Sequence, residues 1–179
     1  MNLAASGAAL AAAVLLAACA SAPKPPADGK DFLSGRLSVR VEASETAAAR
    51  AMSAAFELQG NEAAGQFDLS TPLGTVLAQA RWANGRVQLA TSQGTREFAN
   101  LDELTREVLG EPIPVAALFD WLRGRPWPGA ASVPTTPPAE PGFAQLGWNV
   151  SLARFDEAWV AALRDRAPAV TVRARLDRH

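Results

Sequence analysis

The residue types that most often carry enzyme chemistry are sparse in this chain. It has one histidine, His179 at the C-terminus, one cysteine, Cys19, and no tyrosine. These cannot supply a Ser-His-Asp or Cys-His arrangement once Cys19 is assigned to the N-terminal segment described below. The sequence also lacks a phosphate-binding loop and a His-Glu-x-x-His zinc motif. We therefore predict that the protein is not an enzyme and that it uses no cofactor and no metal.

Paired carboxylates are the remaining candidates for acid–base chemistry. They occur at Asp102–Glu103 and at Asp156–Glu157. Each pair is also typical of the first turn of a helix, where the helix dipole favours negative charge, and we prefer that interpretation. The formal net charge is −1, so bulk attraction to nucleic acid is not expected.

The N-terminus has the pattern of a targeting segment. The run from Leu3 to Ala18 is mainly small and apolar and ends in Leu16-Ala17-Ala18, directly before Cys19. A short apolar run that ends in small residues is typical of a secretory signal peptide. The alternative is a transmembrane helix with an incidental cysteine, but the run is short and a proline-rich stretch follows. We predict a signal peptide at 1–18, a tether at 19–31 and a folded domain at 32–179.

The stretch from Met52 to Trp82 carries the clearest strand signal. Gly60-Asn61 and Asn84-Gly85 are hairpin turn signals on either side of its later strands. Apolar residues alternate with polar ones, as in strands that bury one face. The apolar positions are Met52, Ala54, Phe56, Leu58, Phe67, Leu69, Val76, Ala78, Ala80 and Trp82.

One turn within this stretch places an apolar residue where no core is available. Pro72 and Gly74 suit the second and fourth positions of a type I turn, so Leu73 lies at its tip. A tip between two half-polar strands is normally solvated. Leu73 is therefore our candidate for a contact outside the protein.

Further strands are predicted on both sides of this stretch. Residues 35–42, 86–91, 95–98 and 170–176 show the same alternation, and 143–152 is predicted to be a single strand. The arginines of the first and last strands most simply form a solvated face, with a docking patch as the alternative; they are Arg36, Arg40, Arg173 and Arg175. The proline-rich segment 125–142 is predicted to be irregular, with a short edge strand near 131–133.

Helical periodicity appears in the middle of the chain. Asn100 with Glu103 predicts a capping box, and Gly110 predicts the end of that helix. Pro112-Ile113-Pro114 opens a second helix that ends by Gly124. A helical turn is also the interpretation for 156–166. The apolar stripes of the two helices must be buried, and the open apolar face of the meander is the available surface.

Several motifs together resemble the LolB family of outer-membrane lipoprotein receptors. They are Leu16-Ala-Ala-Cys19, Gly35-Arg-Leu-Ser-Val39, Phe67-x-Leu69-Ser-Thr-Pro-Leu-Gly74, Leu109-Gly-Glu-Pro-Ile-Pro114, Trp121-Leu-Arg-Gly124 and Gln145-Leu-Gly-Trp-Asn-Val150. They occur in family order over nearly the whole mature chain. The Pro-Leu-Gly turn and the Gly-x-Pro-Ile-Pro motif are fairly specific in combination.

The resemblance implies a fold and a function. The fold would be a mainly β, α+β domain: an antiparallel, unclosed half-barrel meander whose amphipathic helices cover its hydrophobic concave face. The protein would be a monomeric lipoprotein, lipidated on Cys19 and released to the periplasmic face of the outer membrane because Ala20, not Asp, follows the cysteine. It would accept acylated lipoproteins from the carrier LolA and insert them into the inner leaflet without ATP.

The resemblance also implies site residues. The Leu73 turn would meet the membrane when cargo is delivered. Acyl chains would lie in a cavity lined by Phe56, Phe67, Leu69, Trp82, Leu89, Leu118, Trp121 and Trp148, unless these residues simply fill a closed core. The main alternative function is a LolA-like or other periplasmic lipid-binding carrier. A structural lipoprotein that docks other envelope proteins is a further alternative.

Overall fold

A single antiparallel sheet of eleven strands forms the framework of the domain. The computed structural model describes residues 32–45 and 47–178. The predicted segments 1–18 and 19–31, with Cys19, lie outside the described residues. The strands are β1 (Phe32–Val41), β2 (Arg50–Gly60), β3 (Gly65–Ser70), β4 (Val76–Ala83), β5 (Arg86–Thr91), β6 (Gly94–Phe98), β7 (Ser132–Pro134), β8 (Gly142–Gln145), β9 (Trp148–Ser151), β10 (Trp159–Arg164) and β11 (Val170–Leu176). The helices are α1 (Leu101–Leu109) and α2 (Val115–Trp121).

The strand order shows how the sheet is assembled. It runs β6-β5-β4-β3-β2-β1-β11-β10-β9-β8-β7, so the first and last strands meet in the middle. Each half is a meander, and both helices lie in the connection between the edge strands β6 and β7. Within the described residues these two edges do not pair with each other. The predicted unclosed antiparallel half-barrel is therefore confirmed.

Alternation along the central strands separates an apolar inner face from a charged outer one. Val39 on β1 lies opposite Val172 on β11, and both side chains are buried. The next pair along the register is Ser38 with Arg173, whose side chains point to the other face. The four arginines of the predicted solvated face are all exposed there, namely Arg36, Arg40, Arg173 and Arg175.

The two helices begin and end close to where the sequence predicts. The Asn100 side chain accepts a hydrogen bond from the Glu103 N–H at 2.8 Å. The Glu103 carboxylate accepts a hydrogen bond from the Ala99 N–H at 2.6 Å. A capping box would use the N–H of the N-cap residue, Asn100, which is one residue later. Gly110 ends α1 with a φ of 88°, which favours glycine. In α2, Pro114 is the N-cap, and the helix ends at Trp121.

The prediction of one strand at 143–152 is wrong. β8 and β9 form a hairpin whose two-residue turn is Leu146-Gly147, with Gln145 paired to Trp148. Both turn residues have positive φ, 55° and 75°, as a type I′ turn requires. Leucine is a poor signal for that turn because it normally avoids positive φ.

The helical interpretation of 156–166 is also wrong, because only Phe155–Glu157 forms a 3-10 turn and β10 follows it. The apolar residues Trp159 and Leu163 lie on the outer side of β10, whereas Arg164 points inward. Arg164 is buried, and its Nη2 donates to the Glu111 carboxylate at 2.6 Å. An arginine at an inward position interrupts the alternation of apolar and polar residues by which a strand is predicted.

The prediction that Val76 belongs to the buried face of its strand is wrong as well. Val76 is 60% exposed. The register between β3 and β4 shifts at Leu69 and Ser70, so Ser70 lies opposite Val76 and Leu77 is left as an extra residue. A β-bulge of this kind interrupts the alternation of faces.

A buried glutamine holds the second helix and the proline-rich segment on the sheet. The Oε1 atom of Gln145 accepts from the Trp121 Nε1–H at 2.8 Å and from the Trp127 N–H at 2.9 Å. Its Nε2 donates to the Trp127 and Ala130 carbonyls, both at 2.7 Å. All four hydrogen-bonding positions of this side-chain amide are therefore occupied.

We expect Gln145→Ala to lower the free energy of unfolding by about 2–4 kcal/mol, because it leaves buried donors and acceptors without partners. Urea unfolding followed by tryptophan fluorescence measures the change. The control is Gln88→Ala, since Gln88 makes an exposed hydrogen bond to Glu97. Equal stabilities for the two variants would contradict the assigned role of the network.

Candidate functional site

A cavity of about 80 Å³ lies between α1 and the inner face of the sheet. Its walls come from the central and N-terminal strands and from both helices. The sheet contributes Leu37, Val39, Met52, Phe67, Leu69, Ala78, Ala80, Leu89 and Val172. The helices and their connection contribute Leu101, Leu104, Thr105, Val108, Leu109, Ile113, Val115 and Leu118.

The interior of this cavity offers no polar group to a ligand. Thr105 is the one polar residue in its wall, and its hydroxyl is already engaged. The Oγ1 atom donates to the Asp102 carbonyl at 3.2 Å and accepts from the Ile113 N–H at 2.9 Å. The cavity therefore suits an apolar ligand that is held by burial of its surface.

The structure separates the eight residues predicted to line a cavity into two groups. Four of them border the cavity, namely Phe67, Leu69, Leu89 and Leu118. The other four are buried elsewhere in the core and do not border it, namely Phe56, Trp82, Trp121 and Trp148.

Aromatic packing fills the half of the hollow face that α2 covers. Trp82 meets Phe119 of α2 edge to face, with ring centroids 5.9 Å apart. Trp121 lies 6.1 Å from Trp148 and 6.5 Å from Phe143 by the same measure. These large rings occupy most of the space under α2, so the cavity is confined to the mainly aliphatic half under α1, where Val115 and Leu118 of α2 form part of its wall.

Sequence reasoning missed most of the aliphatic wall. Leu37, Val39 and Val172 were predicted only as inward positions of β1 and β11. Leu104 and Leu109 were predicted only as part of the α1 stripe. The available signal was that stripe itself, because a helix that covers an open sheet must contribute one wall of any space left between them.

The predicted turn at Leu73 is present and projects from the domain. The Gly74 N–H donates to the Thr71 carbonyl at 2.9 Å, which closes the turn. A second ring forms at its base, where the Thr75 N–H donates to Thr71 Oγ1 at 3.1 Å. The Leu73 side chain is 95% exposed at the tip. The turn thus presents an apolar side chain to solvent.

The carboxylate pairs do not form an acid–base site. Asp102 and Glu103 occupy the first turn of α1, as predicted. Glu157 lies on the surface, where a hydrogen bond from Arg154 lowers the pKa of its carboxyl, opposite to the shift a general acid needs. Within residues 32–45 and 47–178 no carboxylate, histidine or cysteine cluster could hold a metal ion. The same residues contain no helix long and apolar enough to cross a membrane.

Comparison with known proteins gives a consistent assignment. Residues 32–173, which run from β1 into β11, match the family described as "Outer membrane lipoprotein LolB". The chain is 36% identical over 149 residues to the "Outer-membrane lipoprotein LolB" of Bordetella pertussis, and the aligned region covers 79% of this chain and 74% of that relative.

Relatives of the same name in other bacteria are similar over comparable lengths. The Cupriavidus pinatubonensis protein is 35% identical over 169 residues, covering 89% of this chain and 79% of the relative. The Chromobacterium violaceum protein is 30% identical over 153 residues, covering 81% and 80%. The chain therefore belongs to the LolB family of outer-membrane lipoproteins.

Proposed function

We propose that this protein accepts acylated lipoproteins from a LolA-like periplasmic carrier and inserts them into the inner leaflet of the outer membrane. The acyl chains would be held in the cavity under α1, and the Leu73 turn would meet the membrane. The observation that carries the proposal is the combination of an apolar cavity with an exposed apolar turn that connects two strands of the cavity wall, β3 and β4.

The cavity supports acyl binding through its chemistry and through its position under a helix. Each buried CH₂ contributes roughly 0.8 kcal/mol, so an apolar wall can hold an acyl chain without reading its head group. Ligand pockets usually measure roughly 300–1,000 Å³, so about 80 Å³ is too small for acyl chains. Cargo would therefore have to displace α1, whose last turn includes Val108, a cavity-lining residue that is 44% exposed.

The transfer needs no nucleotide in this scheme. An acyl chain would move from the carrier to this protein and then to the bilayer as long as each site binds it more strongly than the one before. The sequence has no phosphate-binding loop, which agrees with such a passive transfer.

A soluble LolA-like carrier is the second candidate function, because it could use the same sheet and the same hollow. The Leu73 turn favours the membrane-inserting role. A carrier that stays in solution gains nothing from a leucine that is 95% exposed. A protein that meets a bilayer gains roughly 1.5–3 kcal/mol when such a side chain is buried in lipid.

The first prediction concerns the anchor. Cys19→Ala should remove lipidation and release the protein from the outer membrane, because stable anchoring by lipid takes more than one acyl chain and these chains would be carried by the cysteine. Membrane fractionation measures the release. The domain should fold as before, since β1 begins only at Phe32. A Cys19→Ala protein without native circular dichroism would contradict the domain boundary.

The second prediction concerns Leu73. Leu73→Glu should reduce insertion of cargo into liposomes roughly ten- to a hundredfold, because a carboxylate at the tip resists entry into the acyl region. Acceptance of cargo from the carrier should remain normal, since Leu73 does not border the cavity.

The matched control for Leu73→Glu is Val133→Glu, which places the same charge on another side chain that is 67% exposed. Normal insertion by Leu73→Glu would make the turn an ordinary one. Loss of acceptance would instead place the turn in the cargo-receiving step.

The third prediction concerns the cavity. Ala78→Phe should fill it, because Ala78 is part of its wall. We expect acceptance of acylated cargo to fall at least tenfold while the melting temperature stays the same or rises, since filling a void adds packing contacts. Ala83→Phe, on the exposed side of the same strand, is the control. Normal acceptance by Ala78→Phe in a copurification assay would place the acyl chains elsewhere.

A further inference from the structure

We propose that Val76 and Leu77 form, together with Leu73, one continuous apolar edge that enters the acyl region of the bilayer. We call these three side chains the β3–β4 edge. The inference rests on the proposed function and extends it, because it assigns the membrane contact to the start of β4 as well as to the turn.

The exposure of the three side chains singles out this part of the surface. Leu73, Val76 and Leu77 are 95%, 60% and 46% exposed. They lie within five consecutive positions, whereas the other large exposed apolar residues of the described chain are spread over separate elements. Those residues are Val108, Val133, Leu146, Phe155 and Leu163. A cluster of this kind marks a contact surface, while single exposed apolar residues need no explanation.

The bulge explains how two neighbouring strand residues are both exposed. From Ala78 onward the even-numbered residues of β4 face the core, and Ala80 and Trp82 are buried. Strict alternation would turn Val76 inward as well. The register shift sets Val76 opposite Ser70 and leaves Leu77 without a partner on β3. The Val76 side chain therefore does not point inward as those of Ala78, Ala80 and Trp82 do. Bulges often redirect side chains at functional sites, and here the redirected residue is apolar.

The chain segment that carries the edge has no charged residue. Residues 69–80 contain no charged side chain. The charged residues that flank this segment are Asp68 on β3 and Arg81 on β4, and Gln66 binds both. Its Nε2 donates to the Asp68 carboxylate at 2.6 Å, and its Oε1 accepts from the Arg81 Nε–H at 2.9 Å. A surface that enters lipid must avoid such charges, because each one is costly in the acyl region.

A bilayer fits this edge better than a protein partner does. A stable protein interface buries roughly 800 Å² on each partner, which three side chains on one turn and the start of one strand cannot provide. A bilayer accepts a small apolar tip without a complementary groove. The edge is also continuous with the cavity, since Leu69 and Ala78 on the same two strands belong to the cavity wall.

The test uses the full chain, matured and acylated in a Gram-negative host and reconstituted into liposomes. Single substitutions Leu73→Cys, Val76→Cys and Leu77→Cys are labelled with a polarity-sensitive fluorophore, and Val133→Cys is the control. Liposomes that contain lipids brominated on the acyl chain quench only labels that reach the acyl region. We expect quenching at 73, 76 and 77 and none at 133.

The outcomes separate this inference from the proposed function. Quenching at 73 without quenching at 76 and 77 would overturn the extended edge and leave the Leu73 turn as the membrane contact. No quenching at any position would overturn both. Shielding at 76 and 77 by the periplasmic carrier alone, without lipid, would make the edge a protein-docking surface and also overturn the inference.

An unlabelled variant checks the result without a bulky probe. Val76→Thr/Leu77→Thr places threonine, which is β-branched and favoured in strands, at two exposed positions of β4, so we expect an unchanged melting temperature. Insertion of cargo should fall about tenfold, because two apolar side chains are exchanged for hydroxyl-bearing ones. Val133→Thr/Leu163→Thr makes the same exchange on other strands and should insert normally. Wild-type insertion by Val76→Thr/Leu77→Thr would overturn the inference.

Discussion

Burial of the α1 and α2 apolar stripes on the inner face of the open sheet is the contact on which the rest of the structure depends. The sheet cannot cover this face itself, because its edges β6 and β7 do not pair within the described chain. The helices lie in the connection between those two edges. They cover the face unequally, since aromatic rings fill the space under α2 and aliphatic side chains leave a cavity under α1.

Polar contacts hold the end of α2 and the α1–α2 connection against the rest of the domain. Gln145 binds the end of α2 through the Trp121 indole. The α1–α2 connection is held by the Thr105 bond to Ile113 and by the buried Arg164–Glu111 pair. Removing one member of such a pair is costly because a buried charge is left without its partner. Because Thr105 belongs to α1, a displacement of α1 that admits a ligand would have to break the Thr105–Ile113 hydrogen bond or carry the connection with it.

Much of the fold could be predicted from local patterns, because one-sided burial leaves a period of two in strands and a helical period in α1 and α2. The failures have local causes. The β8–β9 hairpin could not be predicted because Leu146, which normally avoids positive φ, occupies its turn. Strand β10 could not be predicted because Arg164 occupies an inward position, where an apolar residue is expected. The position of Leu73 at a turn tip could be predicted because Pro72 and Gly74 define the turn. Which buried residues line a void and which fill it depends on packing between distant elements, so Trp121 and Leu118 could not be told apart from sequence.

In the proposed function, acyl chains occupy the aliphatic half of the hollow and not the aromatic half. Photocrosslinking with p-benzoylphenylalanine at Leu89, which borders the cavity, and at Phe143, which packs against Trp121, compares the two halves directly. A lipoprotein cargo with radiolabelled acyl chains reports the contact. We expect acyl crosslinks from position 89 and none from position 143. Equal crosslinking from both positions, or crosslinks from 143 alone, would contradict this placement of the acyl chains.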